Sequence, residues 1–165
     1  MVQRPVIRRA IATDIEDCLA LAARDVELPT GLADDLSELD RLLLVAEDAG
    51  RVIGYGRAMH FRRAADAPAE SVPTGYYLVG LMVDASCRRR GVGSELTRAR
   101  LAWISGRATE AWYFANARNM ASIALHVHLG FREVTREFSF PGLSFDGSEG
   151  ILFRASLTNG PLAPG

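Results

Sequence analysis

From Tyr76 to Val83 the chain is an almost unbroken apolar run, and it leads into Arg88-Arg89-Arg90-Gly91-Val92-Gly93-Ser94. Such a run suits a central strand covered on both faces. Val92, Leu96, Ala99 and Trp103 then recur at helical spacing, which predicts a helix to about Ser105. Strand, glycine turn and helix in direct succession make this a mixed α/β chain.

The remaining elements follow from the same periodicities. Val6-Ile7 opens a short strand, Thr13-Asp14 stands where a helix is capped, and Ile15, Cys18, Leu19 and Ala22 mark the helix face. Leu32, Leu36 and Leu39 predict a second short helix with an acidic outer face. Leu42 to Glu47 and Val52 to Phe61 flank Asp48-Ala49-Gly50-Arg51, a β-hairpin pattern. Arg62 to Thr74 is Ala- and Pro-rich, a loop and the most mobile segment expected. Glu110 to Ala115 is a strand, and a helix after Asn119 runs through His128 and stops at Gly130. Strand character resumes over Phe131 to Phe140 and again over Ile151 to Ala155. The domain is expected to span residues 1–156, with 157–165 as a flexible tail.

Composition narrows the chemistry. At 165 residues this is one domain's length, enough to bury roughly 70% of the unfolded chain's surface. Net charge is −1, so no global field draws the protein to nucleic acid or anionic lipid. Every basic residue apart from histidine is arginine, which excludes a Schiff-base lysine and a phosphate loop ending in Gly-Lys-Ser/Thr. Cys18 and Cys87 lie far apart behind an opening without a signal-like apolar run, so a cytoplasmic protein with free thiols is expected. No stretch approaches the ~20 apolar residues of a membrane span.

Residues Arg88 to Ser94 carry the clearest chemistry. A helix N-terminus presents unpaired N–H groups, glycines let a ligand approach the main chain, and arginines add bidentate donors for phosphate. The other reading is a tight turn with a solvated basic cluster. A dinucleotide fingerprint would need a third glycine where Leu96 stands.

Val83-x-x-x-x-Arg88-x-x-Gly91-x-Gly93 resembles the acyl-CoA signature of the GNAT N-acetyltransferases, with Ala85 where that family often has proline. Asn119-x-x-Ser122-x-x-Leu125-His126-x-x-x-Gly130-Phe131 is similar to the family's second signature. The resemblance implies a single-domain α/β (α+β) fold: a mixed, twisted sheet of about six to seven strands, flanked by about four helices, with splayed central strands. It implies acetyl-CoA as co-substrate, with the amides of Arg89, Arg90, Gly91, Val92, Gly93 and Ser94 wrapping its pyrophosphate and Arg88 completing the signature. Leu81, Met82 and Val83 would pair with the pantetheine arm as a sheet pairs with an added strand, and Asn119 would touch the cofactor.

The implied reaction is direct acetyl transfer to a primary amine of a small molecule or peptide. The family supplies the leaving thiolate's proton from a tyrosine at the position of His126, which makes His126 the candidate acid; the alternative is a space-filling histidine. No base is evident: related peptide N-terminal acetylases carry a glutamate where Phe114 stands, and Glu27 and His60 are weaker candidates. Asp25, Glu27, Asp34, Asp35, Asp146 and Glu149 favour a cationic acceptor, and Tyr76, Tyr77, Trp112, Phe114 and Phe138 offer an aromatic surface or simply core. His126 and His128 point to different helix faces, so no metal site is expected. Cys87 beside the arginines lacks a partner base for nucleophilic work. The rival readings are a CoA-binding sensor or degenerate domain without turnover and a nucleic-acid module using the arginines; a homodimer is left open.

Overall fold

The structure is a computed structural model that describes residues 4–23, 29–145 and 148–157. Its strands are β1 (Val6–Arg9), β2 (Arg41–Asp48), β3 (Arg51–Phe61), β4 (Gly75–Val83), β5 (Glu110–Asn116), β6 (Arg132–Thr135) and β7 (Gly150–Ser156). Its helices are α1 (Asp14–Ala22), α2 (Asp34–Ser37), α3 (Val92–Ser105) and α4 (Met120–His128). The strands form a seven-stranded mixed sheet of order β1-β2-β3-β4-β5-β7-β6. The chain divides into two compact units, Met1–Met59 with Leu78–Arg100, and His60–Tyr77 with Leu101–Gly165.

In the first unit β2 and β3 form the expected hairpin, with Asp48 opposite Arg51 and Ala49 and Gly50 both at positive φ. That two-residue turn matches the natural twist of a strand pair, and glycine adopts its second position freely. Leu43, Val45 and Tyr55 are buried with Cys18, Leu21 and Ala22 of α1 in one core cluster. Burial pushes the Cys18 thiol up to about 12, so it behaves as an apolar core group. Thr13 occupies the N-cap position of α1, but its side chain makes no capping bond. The buried Asp14 carboxylate instead accepts from the Ile11 amide at 2.8 Å and from Arg8 at 2.7 and 3.0 Å.

Two buried carboxylates organise this unit. Arg8 bonds both Asp14 and Glu47, joining β1, α1 and β2. Asp35, 2% exposed, accepts from Arg57 Nε of β3 at 2.5 Å and faces Arg41 at 3.4 Å. Arg57 also donates to the Thr30 carbonyl, so one guanidinium fixes the segment leading into α2.

The second unit is held by rings and strand pairing. β5 and β7 pair antiparallel without interruption from Glu110 opposite Ser156 to Asn116 opposite Gly150. β6 pairs with β7 only over Arg132 to Thr135 and carries an irregularity between Glu133 and Thr135. The strand expected over Phe131 to Phe140 is therefore shorter. Its distal part, Phe138 to Phe140, leaves β7; Ser139 forms a parallel bridge with Ser71. The loop expected to be most mobile is held as well: Arg63 donates to the carbonyls of Ser71, Pro68 and Ala69, and Val72 is 1% exposed. No helix among the described residues is long and apolar enough to cross a membrane.

Candidate functional site

β4 differs from the strand expected from its sequence. Tyr77 and Leu78 are buried, but Gly80 is exposed and Leu81, Met82 and Val83 are only half-buried. Gly80 has φ +58, a left-handed conformation that interrupts regular strand geometry. An added Cβ there would stand 3.0 Å from Arg57 Cδ, so glycine also gives that arginine its passage.

Beyond Val83 the chain is pinned before it turns. The buried Asp84 accepts from the Ser86 amide and hydroxyl at 2.9 and 2.7 Å, and its own amide donates to the Ile53 carbonyl. A 3-10 turn over Ala85–Cys87 follows, and Arg88 Nε donates back to the Val83 carbonyl at 3.1 Å. Arg89 then has φ +60 and Gly91 φ +82. A non-glycine residue in this region is uncommon, and left-handed residues stand on either side of Arg90. Val92 and Leu96 are buried and anchor the start of α3, whose first helical bond runs from the Glu95 amide to the Gly91 carbonyl.

The turn is open. Arg88, Arg89, Arg90 and Gly91 are exposed, and a Cβ on Gly91 would meet nothing within 4 Å. Among the described residues no side chain caps the amides of Val92, Gly93 or Ser94. Arg90 lies 3.7 Å from Asp48 and from the Cys87 sulfur, while Thr97 Oγ1 donates to the Gly93 carbonyl and accepts from the buried Arg100. The predicted residues 81–83 and 88–94 thus come together as one continuous strand-to-helix element.

The other predicted residues lie on α4 in the second unit. Exposed Asn119 is the N-cap, its side-chain oxygen accepting from the Ser122 amide at 3.3 Å. His126 is 1% exposed, and its Nδ1 lies 2.8 Å from the Ser122 carbonyl. A carbonyl only accepts, so Nδ1 carries the proton and, in the neutral ring, Nε2 is the acceptor. The ring stacks on Tyr113 at 3.6 Å between centroids and 4° between planes, and the Tyr113 hydroxyl meets Ser122 Oγ at 2.5 Å. Tyr113 escaped the sequence reading; strand alternation on β5 with i, i+4 spacing of Ser122 and His126 on α4 is the signal that locates it.

The weaker candidates separate. Phe114 packs against Tyr77 and Phe140. His60 is half-buried with its ring edge on Tyr76, 4.7 Å between centroids. Glu27, Asp25 and Asp146 lie outside the described residues. Of the other acids expected to draw a cation, Asp35 is buried against Arg57 and Glu149 meets Arg136 at 2.6 Å, while Asp34 is exposed. Cys18 and Cys87 are free thiols, both buried. Among the described residues no group of three or more His, Cys, Asp or Glu side chains is placed to hold a metal.

The sequence pattern of the Acetyltransferase (GNAT) family matches residues 10–131. No curated protein sequence matches significantly. Solved structures resemble the fold. Ard1 from Thermoplasma volcanium has a TM-score of 0.74 at 20% identity over 95% of this chain and 100% of its own. The ribosomal-protein-S18-alanine N-acetyltransferase of Escherichia coli scores 0.70 at 17% identity over 98% and 99%. An aminoglycoside 6'-N-acetyltransferase of Acinetobacter haemolyticus scores 0.68 at 23% over 84% and 99%. At these identities the likeness is one of fold, and the family assignment rests on the sequence pattern, which spans both signatures up to Phe131: the chain belongs to the GNAT acetyltransferase family.

Proposed function

We propose that the protein transfers acetyl from acetyl-CoA to a primary amine of a small molecule or peptide, by direct attack and without a metal. The observation that carries this reading is the open turn in which Arg89 and Gly91 hold left-handed φ ahead of α3. Such a turn fits a diphosphate, since it is open at Gly91, precedes a helix N-terminus and is flanked by arginines. Arg88 to Ser94 hold the pyrophosphate, Leu81 to Val83 present half-buried backbone to the pantetheine arm, and Asn119 contacts the cofactor. Acetyl-CoA supplies the thioester; the amine nitrogen bonds to the acetyl carbon as the C–S bond breaks, the nitrogen loses one proton to water, and the sulfur leaves as a thiolate.

The chain's own residues have two further tasks in this reading. Amides near Met82 and Val83 polarise the thioester carbonyl. His126 gives the thiolate its proton from Nε2, which requires the doubly protonated ring because Nδ1–H is already committed to Ser122. The reading includes a cytoplasmic location, where buried free thiols such as Cys18 and Cys87 persist.

A CoA-binding sensor without turnover is the second reading. It is favoured by Phe114, which offers no carboxylate, and by the burial of His126 beneath Tyr113. Thiol release from acetyl-CoA across a panel of amines separates the two: release with any amine establishes transfer, and tight acetyl-CoA binding without release establishes the sensor.

A further inference from the structure

One side of β5 carries a surface that the transfer chemistry does not use. Tyr113 points to α4, and alternation sends Trp112 and Phe114 to the opposite face of the strand. There Phe114 lies 5.0 Å from Phe140 and 6.3 Å from Phe138, Phe140 lies 4.8 Å from Phe61, and Phe138 lies 5.8 Å from Phe145. Buried Tyr77 and Trp112 form the floor, whereas all five phenylalanines are half-buried. A core would bury these rings fully, and half-buried rings in one connected cluster fit a binding surface.

The surface is built. The Ser139 amide donates to the Glu70 carbonyl at 2.9 Å and the Val72 amide to the Ser139 carbonyl at 3.0 Å, so the backbone between Phe138 and Phe140 is fixed from both sides. In that extended segment residues two apart share a face, which sends Phe138 and Phe140 the same way. Arg136 bonds both Glu133, at 2.7 Å, and Glu149, at 2.6 Å, so one cation is shared between two of the exposed acids beside it, and Glu137 is exposed as well. A wall of connected rings is a good seat for an apolar body. It also lies across β5 from α4, the helix that carries His126.

We infer that the acceptor is a primary amine carried on an aromatic or large apolar group, and that Phe114, Phe138 and Phe140 read that group. The inference rests on the transferase reading and deepens it. The ligand chemistry is shared by free arylalkylamines and by peptides with an apolar N-terminal residue.

The test is thiol release from acetyl-CoA with 2-phenylethylamine, a tetrapeptide with N-terminal phenylalanine, ethylamine and spermidine. At least one aromatic probe should exceed both ethylamine and spermidine in kcat/KM by about 10-fold or more, the scale on which apolar pockets discriminate. Which aromatic probe is preferred tells the free amine from the peptide. Phe138→Ala should cut kcat/KM for that probe by about 10-fold, mainly through KM, and leave ethylamine turnover and CoA affinity unchanged. Phe138→Leu keeps the apolar volume and serves if the alanine variant does not fold. Equal or better use of spermidine or ethylamine overturns the inference alone, as does a variant that slows all amines alike. Release with no amine overturns the transferase reading and this inference with it.

Discussion

The two units of the molecule are organised by different forces. Apart from Tyr55, every aromatic residue falls in the unit His60–Tyr77 with Leu101–Gly165, where Tyr113 stacks on His126 and the phenylalanines form a connected wall. The unit Met1–Met59 with Leu78–Arg100 holds the buried charges instead: Asp14 under Arg8, Asp35 under Arg57, and Arg100 against the Arg57 carbonyl. The proposed function divides along the same line: in it the first unit contributes main-chain amides shaped by backbone conformation, and the second contributes side chains shaped by packing. Main-chain sites tolerate little change at a few positions, while packed side-chain sites spread their requirements over many.

The contrast is most open to challenge at Arg57. Removing it leaves Asp35 buried with only the longer Arg41 contact, so Arg57→Leu should cost about 3 kcal/mol in urea unfolding. A loss under about 1 kcal/mol would mean that the pair behaves like a surface ion pair, and that charge does not organise this unit.

Next in size is Gly91. Gly91→Glu places a like charge before the pyrophosphate and forces a side chain into φ +82, so calorimetry should show CoA affinity falling by about 100-fold. Gly91→Ala meets open space and bears only the conformational cost, about 1–2 kcal/mol. Affinity retained in the glutamate variant would remove the turn from CoA binding.

Asp14 gives a pH-dependent measure of the same charge order. The hydrogen bonds from Arg8 hold its carboxyl below the usual carboxylate range, against the opposing effect of burial, with the Ile11 amide helping. A depressed folded value means stability that is present above the unfolded value, about 3.9, and is lost as pH falls through the lower folded one. Asp14→Asn should therefore cost about 2 kcal/mol at neutral pH, with the gap to the unsubstituted protein closing below about pH 4. A gap independent of pH would show that packing, not charge, is what Asp14 contributes.

The smallest expected effect is at His126, in the aromatic unit. His126→Phe should preserve the stack on Tyr113 and CoA affinity while slowing turnover about 10-fold, a modest loss because a thiolate also takes protons from water. Unchanged turnover would make His126 a packing residue and sharpen the separation between the units.

Much of this was legible in the sequence. Periodicity located the hairpin, α1, α3, α4 and the strand before the turn because apolar spacing directly encodes which face is buried. The glycine and arginine spacing located residues 88–94, since a left-handed turn at a helix start admits few residue types. Three features escaped for one physical reason, that each depends on a partner distant in the chain. β4 reads as covered on both faces, yet Gly80 yields to Arg57 from the neighbouring strand and leaves Leu81 to Val83 half-buried. The acids read as a field for cations, yet Asp35 and Glu149 are matched by Arg57 and Arg136. Phe131 to Phe140 reads as one strand, yet β6 ends at Thr135 and Ser139 pairs with Ser71.

The sequence by itself determined the elements, the family and the glycine-arginine turn ahead of α3, because these depend on local backbone preferences and short spacings. Only the tertiary structure decided that His126 lies under Tyr113, that Asp35 and Glu149 are paired with arginines, and that five phenylalanines join into one wall. Those outcomes require residues tens of positions apart to meet, and no local propensity records which partners will do so.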